Sequence, residues 1–98
     1  MHTKRINFIQ TVVFKLAMTA VLITEATTMR NEIRAVVQVG FTKIHIEGDN
    51  KILIQVVQGR IQASWEVQVF VQDILSYFQS CNHVIISHIF RQGNRTTG

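Results

Sequence analysis

Apolar residues follow first a helical and then a strand pattern through the middle of the chain. Between Glu25 and Val39 they recur every three or four residues, which predicts an amphipathic helix that ends at Gly40. From Phe41 to Glu47 they alternate with polar residues, as in a half-buried strand. This change of period predicts a helix followed directly by a strand.

Two further helices are predicted after a turn at Gly48-Asp49-Asn50. Residues from Ile52 to Val57 form a short apolar face that stops at Gly59, a residue suited to a helix end. Ser64 is placed to cap a third helix, whose apolar stripe runs from Val67 to Phe78. The third helix has the most regular spacing in the chain.

The last predicted element is a strand from Val84 to Phe90, rich in β-branched residues and apolar on both faces. We expect it to lie inside a covered sheet. Residues Arg91 to Gly98 show no core pattern. Helices that alternate with strands predict one α/β domain over residues 1–98, with parallel strand pairing.

The amino-terminal apolar run has two possible interpretations. Lys4 and Arg5 precede it, as in a targeting segment, but Lys15 interrupts the apolar stretch and disfavours a membrane span. The favoured interpretation is a strand from Ile6 to Leu16, followed by a loop over Ala17 to Ala20.

Composition narrows the class of protein. Hydrophobic residues make up 47% of the 98 residues and charged residues 16%, as in compact globular domains. A formal charge of +4 favours contact with phosphate backbones without requiring it. Cys81 is the single cysteine, so the sequence contains neither an intrachain disulfide nor a zinc-site spacing, and we expect an intracellular protein.

Two acidic residues are candidates for chemistry. Asp49 follows a strand, where α/β sheets usually bind ligands, but from the residues alone the favoured interpretation is that Asp49 or Asn50 caps the next helix. Glu25 begins a predicted helix, where its charge would also favour the helix dipole. If the two carboxylates converge, their hard oxygen atoms suit magnesium or manganese. Paired metal ions of this kind can clamp a phosphodiester during hydrolysis.

The remaining candidates have ordinary structural explanations. His83 and His88 are an odd number of residues apart on a strand, so they point to opposite faces and cannot share a metal. We expect both to be packed or solvent-facing, and Trp65 to be a core anchor. Three scattered arginines are possible phosphate contacts but also ordinary surface residues: Arg60, Arg91 and Arg95.

Taken together, the motifs resemble a known family, the ribonuclease H-like domain found in many plant proteins and often derived from retroelements. The residues that carry the resemblance are Thr24-Glu25-Ala26 with Met29-Arg30, the run from Ile46 to Lys51, Gln58-Gly59-Arg60 with Trp65, and Ser87-His88-Ile89 with Arg91 and Asn94-Arg95. The resemblance extends from about Ile6 to the end of the chain.

The resemblance implies specific roles. Glu25 and Asp49 match catalytic carboxylates that bind Mg²⁺ in the family, and His88 matches a histidine that contacts substrate or assists product release. The implied partner is an RNA–DNA hybrid, whose RNA strand the family cleaves. Residues expected to contact nucleic acid are Asn50, Arg91, Asn94 and Arg95.

The sequence also departs from the family. The family's first catalytic aspartate belongs to an initial strand that this chain begins too late to contain, and Gly98 stands where its last aspartate would be. We therefore expect an incomplete three-layer ribonuclease H-like fold, without its first strands and carboxyl-terminal helix. That fold would be rearranged, marginal or partner-dependent, because its sheet loses a pairing partner.

Three functions follow from this comparison. The first is a hybrid ribonuclease that is catalytically incomplete, because missing carboxylates weaken binding of two metal ions. The second is a non-catalytic module that binds nucleic acid or protein. The third is a non-functional fragment of a retroelement. In each case we expect no association with membranes, and location in the nucleus or the cytoplasm is not distinguished.

Overall fold

The computed structural model describes residues 8–90 of the chain, and their side chains from residue 13 onward. The elements are, in order, α1 (Phe8–Val39), β1 (Lys43–Gly48), α2 (Lys51–Val57), α3 (Trp65–Phe78) and β2 (His83–His88). β1 and β2 form a parallel pair in which Lys43 lies opposite His83 and Gly48 opposite His88. The predicted α/β class and parallel pairing are confirmed.

The amino-terminal prediction of a strand and a loop is wrong. α1 runs without interruption from Phe8, through the region expected to be extended and through the expected loop at Ala17 to Ala20. No glycine or proline breaks this stretch, and the Thr24 and Thr27 hydroxyls donate hydrogen bonds to carbonyls four residues earlier. The part of the prediction on residues 6 and 7 lies outside the described residues.

The first part of α1 is largely exposed. Phe14 and Leu16 are each 65% exposed, and Val13 is 58% exposed. Although α1 contains 32 residues, neither it nor any other helix within residues 8–90 is apolar over enough of its length to cross a membrane.

Glycines end the first two helices as predicted. Gly40 and Gly59 have φ angles of 112° and 81°, in the left-handed region where a Cβ is unfavourable. The Gly40 and Gly59 amides donate to the carbonyls of Val37 and Val56, each at 3.0 Å. α1 and α2 therefore stop where the sequence indicated.

The core lies between the helices and one face of the sheet. Val67, Val71 and Ile74 of α3 are at most 1% exposed, which confirms the predicted stripe. α1 and α3 are also joined by Arg30, whose guanidinium lies 3.3 Å from the Asp73 carboxylate and 5.1 Å from the centre of the Phe70 ring. The other core side chains are Leu22, Ala26, Ile33, Leu53, Ile54, Val56 and Val57.

The helices cover only one face of the sheet in the described part of the chain. Ile44, Ile46 and Ile86 pack against the core, whereas Lys43 and His45 are exposed. The expectation that both faces of the last strand are covered is wrong, because Ile85 on its other face is 45% exposed.

Two predictions at the start of α3 are also corrected. Trp65 is not a core anchor, since its side chain is 73% exposed. It lies two residues before Val67, or about 200° around the helix from the buried stripe. Ser64 occupies the cap position, but its side chain makes no capping hydrogen bond.

Candidate functional site

The turn after β1 brings Asp49 and Asn50 to the carboxyl end of the strand. Of these two possible caps, Asn50 is the residue that caps α2. Its Oδ1 atom accepts a hydrogen bond from the Leu53 amide at 3.1 Å. This bond fixes the Asn50 side chain, so the helix cap sets the direction in which its Nδ2 group points.

Glu25 meets the same turn from α1. Asn50 Nδ2 donates a hydrogen bond of 2.9 Å to Glu25 Oε1, which connects residues that are 25 positions apart in the chain. Glu25 is half-buried and lies in the middle of α1, so its predicted position in a first helical turn is wrong. Tertiary packing, rather than the helix dipole, therefore places its carboxylate at the end of β1.

His88 ends β2 at the same end of the sheet. It lies opposite Gly48 in the strand register. The amide of the next residue, Ile89, donates a hydrogen bond of 2.9 Å to the Gly48 carbonyl. The His88 ring packs edge-on against Phe90, with 5.6 Å between ring centres. His83 is at the far end of β2, so the prediction that the two histidines form no common site agrees with the geometry.

The oxygen atoms of the Glu25 and Asp49 carboxylates are of the type that a hard cation prefers. Asp49 lies exposed in the bend between β1 and α2 and immediately precedes Asn50, whose side chain donates a hydrogen bond to Glu25. Mg²⁺ is commonly bound by one or two protein carboxylates together with water and substrate phosphate. Glu25 and Asp49 therefore fit one such ion by their chemistry. Across residues 8–90, no three His, Cys, Asp or Glu side chains cluster as a metal site would.

The predicted nucleic-acid contacts are only partly described. Asn50 lies in the site, and Arg60 lies exposed in the loop after α2. Arg91, Asn94 and Arg95 lie outside the described residues. The bridge that Asn50 forms between α2 and Glu25 was not predicted from the sequence. The available signal was the position of Asn50 directly before an apolar helical run, which indicates a cap but no distant partner.

An open depression lies on α1 beside the Glu25 carboxylate. Its volume is about 240 Å³, and it is lined by Ala20, Val21, Thr24 and Glu25. A larger groove lies elsewhere, along β1. The smaller depression leaves Glu25 accessible from the side of α1.

These features define a small α/β domain with an acidic and amide-containing site where its parallel strands end. Residues 5–97 match the model of a family described as reverse transcriptase-like, and the chain belongs to that family. The match supports a ribonuclease H-like domain of the retroelement type, and the observed architecture is compatible with an incomplete form of that fold. Searches of the curated proteins and of the solved structures found no match.

Proposed function

We propose that this chain is a ribonuclease H-like domain that binds RNA–DNA hybrids around the carboxyl end of β1. The observation that carries the proposal is the 2.9 Å hydrogen bond between Asn50 Nδ2 and Glu25 Oε1. This bond joins Glu25 to the turn that contains Asp49 and Asn50, three of the residues that the family resemblance marks as functional. Membership of the reverse transcriptase-like family supports nucleic acid as the general class of partner.

Within this proposal Glu25 and Asp49 hold one Mg²⁺ ion, which would neutralise phosphate charge when bound. Asn50 positions the Glu25 carboxylate, and its cap to Leu53 restrains that side chain in turn. His88 would contact the substrate from the end of β2. Hydrolysis that uses two metal ions would require ligands beyond Glu25 and Asp49, so binding is the activity that these two residues support best.

Arg91 and Arg95 are proposed to contact phosphates together with Asn94. Each phosphate contact releases counterions, so affinity should fall as salt increases. Replacing either arginine with alanine should lower the slope of log affinity against log salt by about one unit. An unchanged slope in both variants would exclude these two arginines as phosphate contacts.

The proposal is tested by fluorescence anisotropy with a labelled RNA–DNA hybrid, with and without Mg²⁺. We expect binding that Mg²⁺ strengthens in the wild-type protein, and loss of the Mg²⁺ effect in Asp49→Asn and Glu25→Gln. Glu32→Gln is the matched control, because it removes one exposed carboxylate from the same helix. It should bind as the wild type does. Absence of hybrid binding even at low salt would overturn the proposal and favour a non-functional fragment.

Gel analysis of the same labelled hybrid separates binding from cleavage. Mg²⁺-dependent cleavage that disappears in Asp49→Asn would show that the domain is a hydrolase and that further ligands complete the site. Intact hybrid in the presence of bound, folded protein would support a binding module.

A further inference from the structure

The two edges of β1 differ in their hydrogen bonding. The carbonyls of Thr42 and Gly48 accept hydrogen bonds from the amides of His83 and Ile89, at 3.1 and 2.9 Å. Even-numbered backbone groups of β1 therefore face β2. Because backbone direction alternates along a strand, the N–H and C=O groups of Lys43, His45 and Glu47 face the opposite edge. Within residues 8–90, no strand pairs with that second edge.

An open groove runs beside this second edge, between β1 and α1. Its volume is about 410 Å³, and most of its lining is apolar. The apolar lining residues are Met29, Ile33, Val36, Phe41, Ile44 and Ile46. An extended segment in the groove would pair with β1 and cover these side chains at the same time.

The outer edge of β2 is less open than that of β1. The side-chain amide of Gln58 donates a hydrogen bond of 3.1 Å to the Ile86 carbonyl on that edge. This contact occupies one of the groups that a further strand would need. The free edge of β1 is therefore the better place for strand addition.

The sequence of β1 indicates which strand fits there. His45 is at the centre of a symmetric pattern in β1. Ile44 and Ile46 are one position before and after it, and Lys43 and Glu47 are two positions before and after it. If two copies of this strand run antiparallel around His45, each Lys43 faces Glu47 of the second copy. Each Ile44 then faces Ile46 of the second copy. Opposite charges face each other at both ends of the pair, and the two His45 side chains face each other at its centre.

We propose that β1 pairs antiparallel with β1 of a second copy of this chain, across a two-fold axis at His45. In this register the backbone N–H and C=O groups of Lys43, His45 and Glu47, which face the free edge, form the hydrogen-bonded pairs between the two strands. The isoleucines point toward the helices and enter the groove, while the charged side chains lie on the exposed face. The result is one four-stranded sheet with a self-complementary interface.

The Glu47 side chain at this edge can rearrange for such pairing. Glu47 lies 3.6 Å from His45 Nε2, and these two side chains are 52% and 48% exposed. Contacts between half-exposed groups are weak and exchange readily. Glu47 can therefore turn toward Lys43 of the second copy at little cost.

The test is a charge swap followed by sedimentation velocity over a range of protein concentrations. Lys43→Glu and Glu47→Lys each place like charges opposite one another twice, and each should weaken the dimer by about tenfold or more. The double variant Lys43→Glu/Glu47→Lys restores both pairs and should dimerise again. An equimolar mixture of the two single variants should form a heterodimer. Arg60→Glu, a charge reversal at an exposed loop position, should leave dimerisation unchanged.

A monomeric wild-type protein at all concentrations would overturn the proposal and point to another occupant of the groove. Failure of the double variant to recover would also overturn it. A single variant that fails to dimerise because it is misfolded would not dimerise again after a second charge reversal. Recovery in the double variant would therefore show that the single variants lost strand pairing and not their fold.

Cysteine cross-linking tests the register independently, in a Cys81→Ser background. His45→Cys should form an intermolecular disulfide, because residues paired across the axis lie about 5.5 Å apart between Cα atoms. Lys43→Cys should not, because its two copies are displaced by four residues, or about 13 Å, along the strands. Efficient cross-linking of Lys43→Cys, or none by His45→Cys, would refute the antiparallel register.

Discussion

The hydrogen bond between Asn50 and Glu25 should contribute measurably to the free energy of unfolding. Asn50 has two roles, since it caps α2 through Leu53 and donates to Glu25. Replacing a capping asparagine with alanine costs about 1 kcal/mol, and loss of a part-buried hydrogen bond costs about 1 kcal/mol more. Asn50→Ala should therefore lower the free energy of unfolding by about 2 kcal/mol.

A double-mutant cycle separates the two roles. Glu25→Ala removes only the shared hydrogen bond and should cost about 1 kcal/mol. The double variant Glu25→Ala/Asn50→Ala should cost about 2 kcal/mol rather than the sum of the single changes, because the shared bond is lost once. Asn50→Ser keeps a capping oxygen but has no amide, so its cost should be close to that of Glu25→Ala.

The assay is urea unfolding followed by far-ultraviolet circular dichroism, with the dependence on urea required to be equal in all variants. A coupling energy of about 1 kcal/mol supports the contact. Single changes that add to within about 0.3 kcal/mol would show that Asn50 and Glu25 act independently and that Asn50 does not position the Glu25 carboxylate.

Three further predictions use the same unfolding assay. Ile74→Ala should lower the free energy of unfolding by about 2–5 kcal/mol, since Ile74 is fully buried. Ile52→Ala, at a site 37% exposed, should lower it by less than about 1 kcal/mol, and equal losses would contradict the placement of the core. Gly59→Ala should cost about 1 kcal/mol because φ is +81° and no atom lies within 4 Å of an added Cβ, so a neutral result would refute the left-handed end of α2. Arg30→Ala should cost about 1 kcal/mol through lost contact with the Phe70 ring and Asp73, and added salt should reduce that cost only slightly if the ring contact dominates.

The sequence predicted α3 well because its burial follows a single period. Val67, Val71 and Ile74 were identified from spacing, and all three are buried. The same method failed for the first part of α1, where β-branched residues favour a strand locally. There the absence of any helix-breaking residue and the helix that continues through Glu25 decide the structure.

The residues of the candidate site could be proposed from the sequence, but the contacts between them could not. Asp49 and Asn50 could be found because they lie between a strand and a helix. Glu25 was a candidate as an acidic residue in a predicted helix, and the family resemblance also marks it. No pattern in the sequence specifies that Asn50 reaches Glu25, because the contact depends on how α1 packs against α2 and α3. Trp65 was misplaced for a related reason, since its large apolar side chain lies on the side of α3 away from the core.

The pairing of β1 with β2 also constrains the order of folding. Lys43 pairs with His83 and Gly48 with His88, so every pair in the ladder joins residues 40 positions apart. Closing a flexible loop of this length costs about 3 kcal/mol by polymer scaling, and two short strands alone are at best marginally stable. Docking of α3 on α1 shortens that search by carrying β2 to β1. The helices should therefore assemble first. The strand amides should lose their protection from hydrogen exchange whenever α3 detaches from α1.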